Sequence, residues 1–173
     1  MFDQNLFKID LNKLKEGLTT ITLQLDDDFF KALETTDVQR GDVKVDLTIS
    51  RIEDVFELAF HIEGTIYIPC DLCLEDMDQF ILTDNKLVAK FGAEDSEDDD
   101  MVTVAENEGI LDVSWYIYEF IVLAIPIKHV HAPGKCNPAM IRMLEEHSVA
   151  RSDKEEGEQT IDSRWDALRK LKE

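Results

Sequence analysis

The sequence predicts an α+β fold: a mainly antiparallel β-sheet, meander or partial barrel, packed by one buried helix, with a short C-terminal helix on a flexible linker. Three observations carry this. Residues 42 to 69 alternate apolar and polar side chains, VKVDLTISRI and then VFELAFHIEGTIYIP, with Val43, Val45, Leu47 and Ile49 on one face. That is the period of half-buried strands. Residues 111 to 126, LDVSWYIYEFIVLAIP, run almost wholly apolar from an acidic cap to a proline, as a buried helix does. Between them EDSEDDD, residues 94 to 100, sets six acidic side chains in seven positions, and mutual repulsion without apolar anchors predicts a mobile loop that parts the sheet from the helical region.

In chain order, NLFKIDL and LTTITLQL, within Asn5 to Leu25, are short and rich in β-branched residues. Lys15, Glu16 and Gly17 divide them, so they read as two strands and a turn. DDDFFKALE follows, its acidic start able to cap a short helix and to favour the helix's positive end. After the long alternating stretch, QFIL and KLVAKF read as a further strand pair turning at Thr83, Asp84 and Asn85. Asp112 or Ser114 can cap the apolar helix and Pro126 ends it. Nearly all-round apolarity predicts deep burial for that helix.

After Pro138, AMIRMLEEH suits a short helix, while SVARSDKEEGEQT has nothing to bury. In the closing IDSRWDALRKLKE, Asp162 or Ser163 can cap a helix with Trp165, Leu168 and Leu171 on one edge beside Arg164, Arg169, Lys170 and Lys172. The expected organisation is one domain over 1–147 with an acidic mobile loop at 92–100, a disordered linker at 148–160 and an amphipathic helix at 161–173. A chain of 173 residues is long enough to bury an ordinary core in a single domain.

The balance of 38 Asp and Glu against 18 Lys and Arg gives a formal charge of -20. Such a surface opposes sequence-independent binding to phosphate backbones and suits a basic protein partner, though solubility explains the charge equally well. The start, MFDQNLFKIDLNKLKEG, lacks the basic and apolar segments of a signal peptide, and no apolar run approaches the roughly 20 residues that span a bilayer. A cytoplasmic protein without a membrane partner is therefore expected. Three cysteines are too few for a disulfide scaffold.

Cys70-Asp71-Leu72-Cys73 is the sharpest local feature, because two thiolates at this spacing in a tight turn can grip one Zn²⁺ from the same side. The third cysteine, Cys136, lies five residues after His131 in HAPGKC. Cys70, Cys73, His131 and Cys136 can thus complete a tetrahedral set if the fold brings them together, with His129 as an alternative ligand. Two other readings stand beside it. The cysteines can be small buried residues closing turns, or they can carry thiol redox chemistry, which needs a lowered thiolate pKa. Asp71, Glu75 and Asp76 crowd the motif and are expected to raise it. No glycine-rich phosphate loop, GxSxG or HExxH is present, so no enzyme activity is expected. Trp165, Leu168 and Arg169 offer a partner-docking edge, balanced against a helix folded onto its own domain.

The run GTIYIPCDLCLEDM, followed by LDVSWYIYEFIVLAIPIKHVHAPGKC and later WDALRKL, resembles the YceD family in order and spacing over most of the chain. The resemblance implies a non-enzymatic accessory protein needed for normal levels of the large-subunit ribosomal RNA in bacteria and plastids, often encoded beside a small zinc-bearing large-subunit ribosomal protein. It also implies Cys70, Cys73, His131 and Cys136 as shared features of unsettled role. The expected partner is a basic ribosomal protein or a precursor of the large subunit, with any RNA contact indirect. A zinc- or thiol-dependent regulator is the alternative, and direct RNA binding by the basic terminal helix a third reading. Two departures matter: Leu72 stands where many relatives carry arginine, which removes a fork suited to phosphate, and extra C-terminal cysteines of some relatives are absent.

Overall fold

The computed structural model describes residues 4–92 and 101–147. The chain divides into a unit over 1–141, which holds the sheet and its packing helices, and a second unit from 142 onward. Of the second, only the C-terminal part of the last described helix is seen. The acidic run from residue 94, the linker expected at 148–160 and the helix expected at 161–173 with Trp165, Leu168 and Arg169 lie outside the described residues.

Five strands form the main sheet in the order β2 (Gly17–Leu25), β3 (Arg40–Ile52), β4 (Val55–Pro69), β5 (Asp76–Phe91) and β6 (Met101–Val104). The first four pair antiparallel as a meander, and β6 adds parallel to β5 from Val88↔Met101 to Phe91↔Val104. The alternation read from 42 to 69 becomes one buried face. Val43, Val45, Leu47 and Ile49 on β3 and Phe56, Leu58, Phe60 and Ile62 on β4 are each at most 1% exposed. Burying such side chains contributes roughly 1.5–3 kcal/mol apiece. Among the described residues no charged or polar residue is buried, so the core draws its stability from apolar packing.

Helix α1 (Asp27–Ala32) begins where Asp26 accepts hydrogen bonds from the Asp28 and Phe29 amides, and it buries Phe29 and Phe30. Gly41 makes room for it: a β-carbon there would lie 2.7 Å from Phe30 Cε2. Helix α2 (Ser114–Leu123) crosses the same sheet face, its Phe120 ring 5.3 Å from that of Phe60. Asp112 Oδ1 accepts from the Ser114 amide at 3.0 Å, but the N-cap position falls to Val113, which makes no side-chain cap bond, so neither Asp112 nor Ser114 is the N-cap residue. A third helix, α3 (Pro138–His147), follows.

Three expectations are corrected. The first N-terminal strand, β1 (Lys8–Asp10), does not turn back on β2. It pairs antiparallel with β7 (Ile110–Asp112) in a small separate sheet, because Ile9 and Leu11 are buried in the core and a 3-10 turn at Leu11–Lys13 redirects the chain. Thr83, Asp84 and Asn85 form no turn; they lie inside β5, in an unbroken ladder with β4 from Pro69↔Asp76 to Val55↔Lys90. Their polarity is spent locally, with Thr83 Oγ1 donating to Asn85 Oδ1 at 2.9 Å and Asp84 meeting His61 across the strands. Burial of α2 is one-sided: Ile117, Tyr118 and Ile121 face inward while Trp115 and Leu123 are 49% and 80% exposed. The sheet covers one side of α2 and nothing described covers the other. Strands β6 and β7 carry no period of their own in the sequence, since MVTV and ILD are too short to show one.

Candidate metal centre

Two loops meet at one end of the sheet. The first is the reversal between β4 and β5. Pro69 closes the β4 ladder, and the turn is fastened by the Cys70 amide donating to Glu75 O at 2.9 Å and the Leu74 amide to Cys70 O at 2.9 Å. Leu74 takes the left-handed conformation, φ 59°, that so tight a reversal demands. The second loop follows α2 through Pro126 to Asn137. Gly134, at φ 79°, sits in its turn, where Lys135 N–H reaches Ala132 O at 2.9 Å.

Paired hydrogen bonds clamp the loops together. The Asp71 amide donates to His129 O at 3.0 Å, and the His129 amide donates back to Asp71 Oδ2 at 2.8 Å. Asn137 Nδ2 donates to Glu75 Oε1 at 2.6 Å, while its Oδ1 accepts from Ala139 N at the start of α3. Asp71 and Glu75 are contacts that spacing alone did not reveal; their only signal in sequence was acidity beside the cysteines.

Inside this clamp Cys70, Cys73, His131 and Cys136 converge, with one ligand atom from each lying within 4.8 Å of all the others. Cys70 and Cys73 are buried and none of the three cysteines is in a disulfide. Cys70 Sγ stands 3.8 Å from Cys136 Sγ, too far for the roughly 2.05 Å of a disulfide. His131 Nδ1 lies 3.4 Å from Cys73 Sγ and 3.9 Å from Cys136 Sγ. Around a tetrahedral Zn²⁺, with Zn–S near 2.3 Å and Zn–N near 2.0–2.1 Å, ligand atoms stand about 3.8 Å apart between sulfurs and about 3.6 Å between sulfur and nitrogen. The donor set and its spacing therefore fit a Cys3His site, with the imidazole turned to present Nδ1. His129 is turned elsewhere, its Nδ1 at 3.0 Å from Pro126 O and its Nε2 at 3.4 Å from Asp71 Oδ1.

Cys70, Cys136 and His131 share their protons unevenly. Burial pushes the Cys70 thiol up, but hydrogen bonds from the backbone of Cys73, His131 and Leu72 outweigh it and bring the pKa down to about 6. The Leu72 and His131 amides reach its sulfur at 3.4 and 3.5 Å. The acidic crowding expected to raise this thiol does not do so, because each carboxylate is engaged elsewhere: Asp71 with His129, Glu75 with Asn137, Asp76 with Arg40. Cys136 goes the other way, to about 11, from burial first and then its neighbours Cys70 and Cys73. His131 is raised by its contact with Cys70 and further by Cys73, against burial. A divalent cation would relieve both strains at once, taking the place of the protons the cluster otherwise shares.

Among the described residues no helix is long and apolar enough to cross a membrane. The model of the family described as large ribosomal RNA subunit accumulation protein YceD matches residues 58–172. That span takes in most of β4, from Leu58 onward, with the cysteine turn, α2 and the histidine loop. No curated protein and no solved structure matches the chain.

Proposed function

The chain belongs to the YceD family of large ribosomal RNA subunit accumulation proteins, and from that premise we propose that it is a non-catalytic accessory factor of large-subunit assembly, an acidic module that holds a basic ribosomal protein or a precursor particle. The family is described by the accumulation of an RNA and not by a reaction. Its member here carries a net charge of -20, and this is the observation that carries the proposal. Opposite charge speeds encounter and rejects wrong partners, whereas the same charge repels phosphate, so contact with the ribosomal RNA runs through the partner.

In this reading Cys70, Cys73, His131 and Cys136 hold one Zn²⁺. When bound, the ion supplies no step of chemistry; it cross-links the β4–β5 turn to the loop after α2, as structural zinc does. The protein's own groups supply the rest: amides toward Cys70 stabilise the thiolate, and the Asp71 and Glu75 clamps fix the two loops in register. A thiol-redox role fits Cys70 and Cys73 less well, because a reactive cysteine must be reached by its oxidant and these two are 0% and 3% exposed.

The test is capture from cell extract on immobilised protein. At low salt the bound fraction is expected to contain large-subunit ribosomal proteins or precursor particles, released as salt rises and screens the charge. A bound fraction free of ribosomal components at low salt would contradict the proposal.

A further inference from the structure

We infer that the groove between the outer side of α2 and the loop after α1 is a docking site for an extended basic peptide segment carrying one bulky apolar anchor. This rests on the reading above that the partner is basic, and adds which face receives it. The groove encloses about 480 Å³, within the roughly 300–1,000 Å³ of ordinary ligand sites. Trp115, Val122 and Leu123 supply its apolar wall, and Glu34, Asp37 and Glu119 its acidic groups. Among the described residues no basic residue lines it.

Two of those apolar side chains are left bare at a cost, Trp115 at 49% and Leu123 at 80% exposure. An apolar patch rimmed by polar groups marks an interaction surface. The groove is also held in shape. The Trp115 ring packs on Tyr118 with centroids 5.6 Å apart, and Tyr118 Oη donates to Asp37 Oδ2 at 3.5 Å. Glu34 adopts φ 52° just past the end of α1, the place where a helix ordinarily takes glycine. A carboxylate kept in that conformation points to use of its charge.

The chemistry selects among occupants. A cation can lie over the Trp115 face while the three carboxylates draw the rest of a basic segment, and an aliphatic side chain can cover Val122 and Leu123. Nucleic acid would bring phosphates to the carboxylates. A second copy docking the same face would set Glu34, Asp37 and Glu119 against their own kind, which interfaces avoid.

The test uses the full chain and a short fluorescein-labelled peptide of arginines around one central leucine, read by fluorescence anisotropy. Leu123→Ser and Glu119→Lys alter exposed positions and are checked for unchanged melting. Each is expected to weaken binding by about tenfold or more, as is citrulline in place of the peptide's arginines. Glu63→Lys, on the far face of the sheet, is expected to stay within about twofold of wild type. Equal binding by wild type and Leu123→Ser, or equal weakening by Glu63→Lys and Glu119→Lys, would overturn the groove. So would dissociation of a dimer on Leu123→Ser, which would give the face to a second copy. Repeating the extract capture with Leu123→Ser separates the two claims: undiminished recovery of ribosomal components removes the groove and leaves the acidic module standing.

Discussion

Cys70 and His61 illustrate how a neighbour decides the state of a single side chain. At Cys70, burial alone would hold the thiol protonated, and three backbone amides reverse that. At His61, on the exposed face of the sheet, the Asp84 carboxylate lies 2.7 Å from Nδ1 and raises the imidazole above its ordinary value, with Glu63 and Asp46 adding to it against some desolvation. Because the folded pKa exceeds the unfolded one, this pair stabilises the fold fully below the ordinary histidine value, about 6.5, and the contribution is lost as pH rises through the folded value. Proton NMR of the histidine rings should show the His61 midpoint above the ordinary value, falling toward it in Asp84→Asn. A midpoint indifferent to that substitution would rule the pairing out. From sequence, Asp84 looked like a turn residue and its partner could not be named, since His61 lies 23 positions away and only the strand register joins them.

At the level of elements, local signals were legible where one period or one cap dominates. The β3 and β4 alternation and the acidic start of α1 both translate directly into structure, and Asp26 accepts from Asp28 N and Phe29 N at 3.0 and 3.1 Å. Asp26→Ala should cost about 1 kcal/mol, lowering Tm by about 2–4 °C, with Asp26→Asn close to wild type; a melt that Asp26→Ala leaves unmoved would refute the cap. Pairing partners were not legible. Nothing in Lys8–Asp10 announces that it joins Ile110–Asp112, because a ladder this distant depends on where the core carries each strand. Apolar content also overstated the burial of α2, since a helix on one side of a sheet hides a single face however apolar its others are. The same mismatch that spoiled the burial expectation leaves Trp115 and Leu123 bare and makes that face the candidate docking surface.

For the whole molecule, the cysteine spacing made the metal set readable, but its closure could not be read. Cys70 and Cys136 are 66 residues apart, and their meeting depends on the β4–β5 reversal, on α2 crossing the sheet, and on the Asp71 and Glu75 clamps. Family membership over 58–172 and the charge of -20 join at this scale in the proposal of an acidic assembly factor whose two loops a metal ion would staple. The measurement that tests this most directly is native mass spectrometry of protein purified without chelator, with Cys70→Ser beside it. The account predicts a single zinc ion on each wild-type chain and none on Cys70→Ser; wild-type protein without metal, or a variant that keeps its zinc, would contradict it.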